Sequence, residues 1–245
     1  MLQNTKGIVL RAVKYGETSL IVSVFTELFG MQSYIISGVR RAKVRQGPRA
    51  GHFQPGSLLD LVVYHHDRQS LQRIRESQWS SLYAQIDTDV RKHSVMFFMV
   101  ELLQKCLRQP EPQPELFGFV EESLLELDAA LPAVTANMPV FFALHLSHFF
   151  GFRMEDTHSA ERPCLDLLEG RFVGDVPGHP HWVDGAVSGN ISLFLKAMRP
   201  AELAEFALNR EQRRSLIDAC LRYYTLHLGD FGAMRTLPVL QEVLD

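Results

Sequence analysis

The chain has 245 residues, of which 46% are hydrophobic and 22% are charged, a composition typical of a globular protein rather than a disordered or fibrous one. No apolar run approaches the roughly 18 residues that indicate a membrane span, and the N-terminus lacks the basic and apolar regions of a cleaved secretion signal. The three scattered cysteines, Cys106, Cys164 and Cys220, exclude a disulfide framework and predict a cytoplasmic protein.

The net charge of −3 conceals an uneven distribution along the chain. Residues 1–82 contain eleven Lys and Arg against five Asp and Glu, which gives a formal charge of +6. Residues 83–245 contain fourteen against twenty-three, which gives −9. A basic first part is therefore joined to an acidic remainder, and this directs the search for a binding function to the first part.

Five runs near the N-terminus have the β-branched composition and alternation of strands. They cover residues 6–13, 19–25, 32–37, 58–66 and 70–76. An open sheet of this size would leave exposed edges and bury little surface, so we expect a small closed barrel. The five-stranded oligonucleotide-binding (OB) barrel is the economical choice, and an SH3-like barrel is the alternative.

Beyond residue 82 the spacing of apolar residues becomes helical. The predicted helices cover residues 88–107, 115–131, 139–150, 191–198, 200–208, 211–228 and 237–244. Six glycines between residues 151 and 190 predict an irregular segment there. We therefore expect an α+β protein, with a barrel domain at residues 1–81 and an α-helical domain at residues 82–245.

The most informative local pattern is a basic segment between the third and fourth predicted strands. It comprises Arg40, Arg41, Lys43, Arg45 and Arg49, and no Asp or Glu occurs from Leu28 through Leu59. A basic loop on a small barrel suits a phosphate backbone, because counterion release supplies much of the affinity for nucleic acids. The alternative interpretation is a solvated loop without a ligand.

Other residues of the predicted barrel could extend such a site. The cationic candidates are Lys6, Arg11, Lys14, Arg73 and Arg75. Aromatic side chains on OB barrels can stack on bases, and Phe25, Tyr34 and Tyr64 lie on predicted strands. We include Tyr34 among the candidate DNA contacts, although an aromatic residue on a strand is more often part of the core.

Residues 156–184 concentrate side chains that can bind metals. They include Asp156, His158, Cys164, Asp166, Asp175, His179, His181 and Asp184. A structural zinc site commonly uses two cysteine pairs, and this segment has one cysteine and no Cys-x-x-Cys, so we predict no bound metal. The chain also lacks the phosphate-binding GxxxxGK[ST] loop, the GxGxxG fingerprint and the GxSxG elbow, so no catalytic residues are assigned.

The order of several short motifs resembles the RecO family of bacterial recombination mediators. The matching pieces are GIVL at 7–10, YGE at 15–17, LIVSVFTE at 20–27, Gly30 and GVRR at 38–41. Further on, HLSHFFGF at 145–152 and YYTLHLGDFGAMRTLPVLQEVL at 223–244 are similar to a family helix end and to the closing segment of the family. The resemblance covers both predicted domains and is weak between these pieces.

The resemblance implies an OB barrel that binds single- and double-stranded DNA, followed by an α-helical protein-interaction domain. Family members anneal complementary strands and, together with RecR, help to load RecA on DNA coated with single-strand-binding protein (SSB). They have no known catalytic centre, and we expect a nucleoid-associated protein without a cofactor. Many members carry a four-cysteine zinc motif, whereas only Cys164 is present in the matching region here.

Within the acidic helical domain, a basic patch is needed to receive the acidic C-terminal tail of SSB. Arg210, Arg213 and Arg214 lie at helical spacing and are the candidates, with a solvated helix end as the other interpretation. Two further functions stay open from the residues alone. One is a metal-dependent hydrolase that uses residues 156–184, and the other is an OB-type RNA-binding protein.

Overall fold

The protein is described by a computed structural model that covers residues 1–37, 50–66, 68–107 and 109–244. The chain folds into two compact units, each built from two separate segments. The first contains Met1–Ala84 and Leu107–Leu125, and the second contains Gln85–Cys106 and Glu126–Asp245. The sequence pattern places a boundary near residue 81 but does not anticipate that residues 107–125 belong with the first unit.

Five strands form the first unit. They are β1 (Leu2–Tyr15), β2 (Ser19–Thr26), β3 (Gly30–Ile36), β4 (Leu58–Tyr64) and β5 (Leu71–Ser81). The sheet has the order β1-β2-β3-β5-β4 and closes because β4 also pairs with β1. All pairs are antiparallel except β3 with β5. The predicted five-stranded OB barrel is confirmed, and closure removes the exposed edges of the sheet.

Alternation along the strands fills the barrel with apolar side chains. Val9, Val22, Val24, Leu61 and Val63 are all buried in one cluster. The barrel is so narrow that Gly7 has no room for a side chain. A Cβ atom there would come within 2.6 Å of a Val24 methyl group and 2.8 Å of a Leu61 methyl group. The small core is therefore closely packed at this point.

The helices are α1 (Val90–Cys106), α2 (Pro114–Ala129), α3 (Pro132–Leu146), α4 (Gly185–Lys196), α5 (Arg210–His227) and α6 (Leu237–Val243). Residues of α2 cover part of the outside of the barrel, where the Phe117 ring lies 5.6 Å from the ring of Phe25 on β2. Gly30, at the start of β3, has a φ of 62° and lies directly against the backbone of Glu111. Only glycine suits a position with both constraints.

The second unit is organised around α3, which is buried along most of its length. Asn137 donates to the carbonyl oxygens of Leu203 and Phe206, at 3.1 and 2.9 Å. The Tyr224 hydroxyl donates to the Ala143 carbonyl oxygen at 2.7 Å. The helix begins at Pro132, seven residues before the predicted start, because Pro139 is accommodated inside it. The predicted helix at 200–208 is instead a 3-10 helix, Pro200–Glu205.

The segment that we expected to be irregular, residues 151–190, contains a small antiparallel sheet. Its strands are β6 (Cys164–Asp166), β7 (Arg171–Val173) and β8 (Trp182–Val183), in the order β7-β6-β8. The prediction was wrong here because strands of two or three residues are too short to show alternation. No helix formed by the described residues is both long and apolar enough to cross a membrane.

Candidate nucleic-acid interface

The strand pairing brings nine side chains together on one outer side of the barrel, which we call the open face. One row runs Val13, Ile21, Ile35, Arg73, Tyr64 across β1, β2, β3, β5 and β4. A second row runs Arg11, Ser23, Ser33, Leu71 across β1, β2, β3 and β5. Their neighbours Val22, Tyr34 and Ile74 point into the core, so these rows point outward.

The open face combines positive charge with accessible apolar surface. Arg11 and Arg73 are both exposed. The side chains of Val13 and Tyr64 are each 44% exposed, and Tyr15, two residues beyond Val13 on β1, is 56% exposed. None of the nine residues is a carboxylate. Arginines that contact phosphates and aromatic rings that stack on bases are the two elements of sequence-independent recognition of single strands.

Two connections lie at the edge of the open face. The β1–β2 turn follows Tyr15, and the β4–β5 connection runs from Tyr64 to Leu71. These loops and the outer side of β2 and β3 are the parts of OB barrels that hold oligonucleotides. Ser37, the last described residue before the basic segment, lies at the same end, because Ile36 pairs with Leu20 beside that turn.

A buried glutamine shapes the β4–β5 connection. The Gln72 side chain is 2% exposed and donates to the carbonyl oxygens of His66 and Gln69, at 2.8 and 2.7 Å. In return, the backbone N–H of His66 donates to Gln72 Oε1 at 3.1 Å. These bonds hold the connection that carries the exposed Arg68, a cation that the sequence analysis did not select.

Two of the predicted DNA contacts lie elsewhere on the barrel, in what we call the charged hollow. This hollow has a volume of about 900 Å³. Its charged lining residues are Lys6, Glu27, Asp60, Arg75 and Glu76. The structure thus separates Lys6 and Arg75 from Arg11 and Arg73. The carboxylates around Lys6 and Arg75 would repel a phosphate group.

Both cations of the charged hollow have acidic partners. Lys6 Nζ donates to Glu121 Oε1 of α2 at 2.8 Å. This hydrogen bond raises the pKa of the Lys6 ammonium above its ordinary value of 10.5, against a smaller opposing effect of burial. Arg75 Nε lies 3.2 Å from Glu76 Oε1. Neither residue therefore offers an uncompensated positive charge to DNA.

Two further predicted contacts also need correction. Tyr34 is completely buried in the barrel core, and its burial raises the pKa of the hydroxyl. It cannot stack on a base, so its selection as a DNA contact was wrong. Lys14 is exposed at the end of β1 but points to the opposite side of the strand from Arg11 and Val13. It is therefore not part of the open face.

The central prediction, the five cations of the basic segment, lies outside the described residues. Arg40, Arg41, Lys43, Arg45 and Arg49 stay predicted DNA contacts on the strength of their sequence pattern. What the structure adds is the place where the described chain enters and leaves this segment, at Ser37 and Ala50.

In the second unit, the three arginines near the start of α5 have different surroundings. Arg210 is exposed, whereas Arg213 and Arg214 are half-buried. The Arg213 guanidinium donates to the Leu208 carbonyl oxygen. Burial raises the pKa of the Asp218 carboxyl, and the positive charges of Arg214 and Arg222 partly oppose this rise. Arg213 and Arg214 therefore interact with groups of the second unit itself, and Arg210 is the most accessible of the three arginines.

The side chains selected as possible metal ligands do not converge. Within the described residues, no group of three or more His, Cys, Asp or Glu is placed to hold a metal ion. His179 Nδ1 accepts from the His181 backbone N–H at 3.2 Å, and His179 Nε2 lies 3.3 Å from Asp166 Oδ2. Both ring nitrogens are thus engaged, and these residues do not fit a zinc ion.

The metal-dependent hydrolase finds no support in the same segment. Asp156 accepts from the Ser192 hydroxyl at 2.8 Å and pairs with Lys196 at 3.5 Å, so it stabilises local structure. Cys164 is buried. The absence of a bound metal nevertheless stays a prediction that elemental analysis of the purified protein would test.

The fold and the site define a class: a closed five-stranded OB barrel with one basic and aromatic face, followed in the chain by a helical unit. Comparison with known proteins identifies the family. The family model for the N-terminal part of recombination protein O matches residues 1–83, and the model for its C-terminal part matches residues 87–235. The chain belongs to the RecO family.

Curated relatives agree over the whole length of the chain. The DNA repair protein RecO of Bacteroides fragilis is 32% identical over 248 residues and is matched along 100% of both chains. The RecO proteins of Azobacteroides pseudotrichonymphae and Christiangramia forsetii are 29% and 30% identical, with 100% and 99% of each chain covered. The chain is thus a member of a DNA repair family.

Proposed function

We propose that this protein is a non-enzymatic recombination mediator that binds single- and double-stranded DNA through its barrel. The observation that carries the proposal is the open face. Its two described rows contain Arg11 and Arg73 together with the exposed Tyr64 and Val13, and they contain no carboxylate. In the sequence, the basic segment at residues 40–49 follows Ser37, and Ser37 lies at the end of the barrel where this face lies. Phosphate contacts from such groups do not depend on sequence.

The proposal includes annealing of complementary strands. The repulsion between two phosphate backbones is the main obstacle to annealing, and a surface with many cations reduces it. An assay with two complementary oligonucleotides, each coated with SSB, tests this activity directly. The protein should accelerate duplex formation, and an unchanged rate would contradict the mediator function.

The contribution of the basic segment can be measured through salt dependence. With about four phosphate contacts, the logarithm of the association constant for single strands should fall with log salt at a slope near −3. Replacing Arg40 and Arg41 with alanine should flatten the slope to about −1.5, because two contacts are lost. The double variant Lys6→Ala/Arg75→Ala is the control and should keep the original slope. An unchanged slope in the first variant would exclude the two arginines as phosphate contacts.

The helical unit is proposed to bind proteins, namely RecR and the acidic C-terminal tail of SSB, in support of RecA loading. Its negative sequence charge disfavours DNA and requires a local basic patch for an acidic peptide. Arg210, Arg213 and Arg214 provide one such patch. A groove of about 620 Å³ further along α5 is a second, mainly apolar location, since Leu221, Leu226 and Met234 line it, and its lining carries one cation, Arg222, and one carboxylate, Asp218.

The two locations for the SSB tail can be distinguished by fluorescence anisotropy with a labelled tail peptide. If the start of α5 binds the tail, Arg210→Ala/Arg213→Ala should weaken binding and Arg222→Ala should not. The opposite result would assign the tail to the groove. If both variants bind the peptide as tightly as the unchanged protein does, neither location binds the tail.

Two alternatives are tested with the same purified protein. A preference for single-stranded RNA over single-stranded DNA of equal length would favour an RNA-binding function. Stoichiometric zinc together with nuclease activity would favour the hydrolase. We expect comparable or tighter binding of DNA, no stoichiometric metal and an unchanged melting temperature after treatment with a strong chelator.

A further inference from the structure

Trp79 near the end of β5 is a large aromatic residue that the open face does not include. The residue is 37% exposed. It lies opposite Leu59, and Ser77 lies opposite Leu61, in the pairing of β5 with β4. Since Leu59 and Leu61 point into the barrel, Trp79 and Ser77 belong to the inner side of the sheet, at the rim of the barrel.

The indole ring is held from one side by His52. The two ring centroids are 5.1 Å apart with an interplanar angle of 62°, which is an edge-to-face arrangement. His52 Nδ1 in turn lies 2.9 Å from the Ser77 hydroxyl oxygen. The next residue, Phe53, is buried in the barrel core and anchors this short stretch of chain. An edge-to-face contact occupies at most one of the two faces of the indole.

The chain that carries His52 begins where the basic segment ends. Ala50–His52 forms a 3-10 helix, and Arg49 immediately precedes it in the sequence. From Leu28 through Leu59 the sequence contains no carboxylate. An exposed aromatic ring on a barrel whose sequence is rich in cations suits a nucleotide, whose phosphate is anionic and whose base has two flat faces.

We propose that Trp79 is a stacking site for an unpaired base of single-stranded DNA, with His52 and Ser77 as positioning residues. This inference rests on the proposed DNA binding and adds a preference to it. A base in a duplex is already stacked on both sides, so it cannot use the indole. The site therefore gives single strands an advantage that the phosphate contacts alone do not.

Tryptophan fluorescence provides a direct test, because the chain has two tryptophans, Trp79 and Trp182. The variant Trp182→Phe leaves Trp79 as the single reporter. Titration of this variant with oligo(dT) should quench its emission, since a stacked base quenches indole fluorescence. The matched variant Trp79→Phe, which retains Trp182, should bind the same oligonucleotide without quenching.

Affinity measurements test the preference for single strands. Trp79→Ala should bind oligo(dT) about fivefold to tenfold more weakly, the low end of the range for one base–aromatic contact. Its affinity for duplex DNA and the salt slope for single strands should not change, because stacking involves no phosphate. Trp79→Phe should retain part of the affinity, and Trp79→Leu should behave like Trp79→Ala.

The possible failures are distinguishable. Salt-dependent binding of oligo(dT) without quenching of Trp79 would overturn the stacking site and leave the proposed function intact. Equal losses for single strands and duplexes in Trp79→Ala, or full affinity in Trp79→Leu, would also overturn it, because both indicate a packing role. If the unchanged protein bound no DNA, the proposed function would fail and the stacking site with it. Melting temperatures of all variants show whether the barrel is intact.

Discussion

The open face and the charged hollow belong to the same small barrel and carry the same kinds of cation, but their surroundings are opposite. On the open face, Arg11 and Arg73 lie among serines, aliphatic side chains and Tyr64. In the hollow, Lys6 and Arg75 lie among Glu27, Asp60 and Glu76, and Glu121 of α2 pairs with Lys6. The two described rows of the open face contain no carboxylate, whereas carboxylates neutralise the cations of the charged hollow.

The difference shows that a positive net charge does not by itself define a DNA-binding surface. Residues 1–82 have a formal charge of +6 in the sequence, and every cation contributes equally to that sum. At the surface, an ion pair with a carboxylate removes most of the attraction between a cation and a phosphate. Strand register, which decides the neighbours of each side chain, therefore determines which of the described cations lie beside carboxylates.

The largest effect should come from breaking the barrel that supports both surfaces. Phe117 of α2 packs on Phe25 and is 2% exposed. Phe117→Ala should lower the free energy of unfolding by about 3 to 5 kcal/mol, because a buried ring is lost and a cavity is left. Chemical denaturation followed by circular dichroism measures this loss.

The control for that variant is Leu125→Ala on the same helix. Leu125 is 40% exposed, and its replacement should change the free energy of unfolding by about 0.5 kcal/mol or less. Equal effects of the two substitutions would mean that α2 does not stabilise the barrel through Phe117.

A smaller effect, on DNA affinity, should distinguish the open face from the charged hollow. Arg11→Ala/Arg73→Ala should weaken binding of single-stranded DNA and reduce the salt slope by about 1.4, that is, about 0.7 for each of two phosphate contacts. The affinity at low salt should fall about tenfold or more. Titrations by fluorescence anisotropy at several salt concentrations provide both quantities.

The matched variant is Lys6→Ala/Arg75→Ala, which removes the same amount of charge from the charged hollow. It should leave the affinity nearly unchanged, because carboxylates already compensate both cations. Similar losses in the two double variants would show that total charge rather than its placement governs DNA binding.

The smallest effect concerns the ion pair of the hollow. Lys6→Met should cost at most about 1 kcal/mol of stability at pH 7, because the Lys6 side chain is 44% exposed and solvent screens the pair. The folded protein has a raised Lys6 pKa, so the contribution is fully present below the ordinary value of 10.5. It should be lost as the pH rises through the folded value.

The free energy of unfolding should be measured at pH 8 and at pH values above 10.5. The difference in this free energy between Lys6→Met and the unchanged protein should become smaller at the higher pH. Arg75→Met is the control, because the guanidinium stays charged throughout this range. A stability difference for Lys6→Met that is independent of pH would show that its methylene chain, rather than the ion pair, is responsible.

The sequence by itself determined the barrel strands, most of the helices and the family of this protein. Alternation predicted all five barrel strands, and helical spacing predicted α1, α2 and α5 to within a few residues at each end. The motifs at residues 7–10, 15–17, 20–27 and 38–41 indicated the RecO family, which the family models confirm. These signals are local, so a linear reading can detect them. The short strands β6 to β8 escaped it because they have too few residues to show a period.

Only the tertiary structure decided which residues share a surface. The sequence contained Arg11, Lys14, Arg73 and Arg75 as equivalent candidates, and it could not exclude Tyr34. A β-bulge at Leu10 between Val9 and Arg11 and another at Arg75 on β5 set the direction of the following side chains. Barrel closure then joined β1 to β4, and residues far apart in the chain became neighbours. Because register and closure depend on pairing between distant strands, the division into an open face and a charged hollow has no local signal in the sequence.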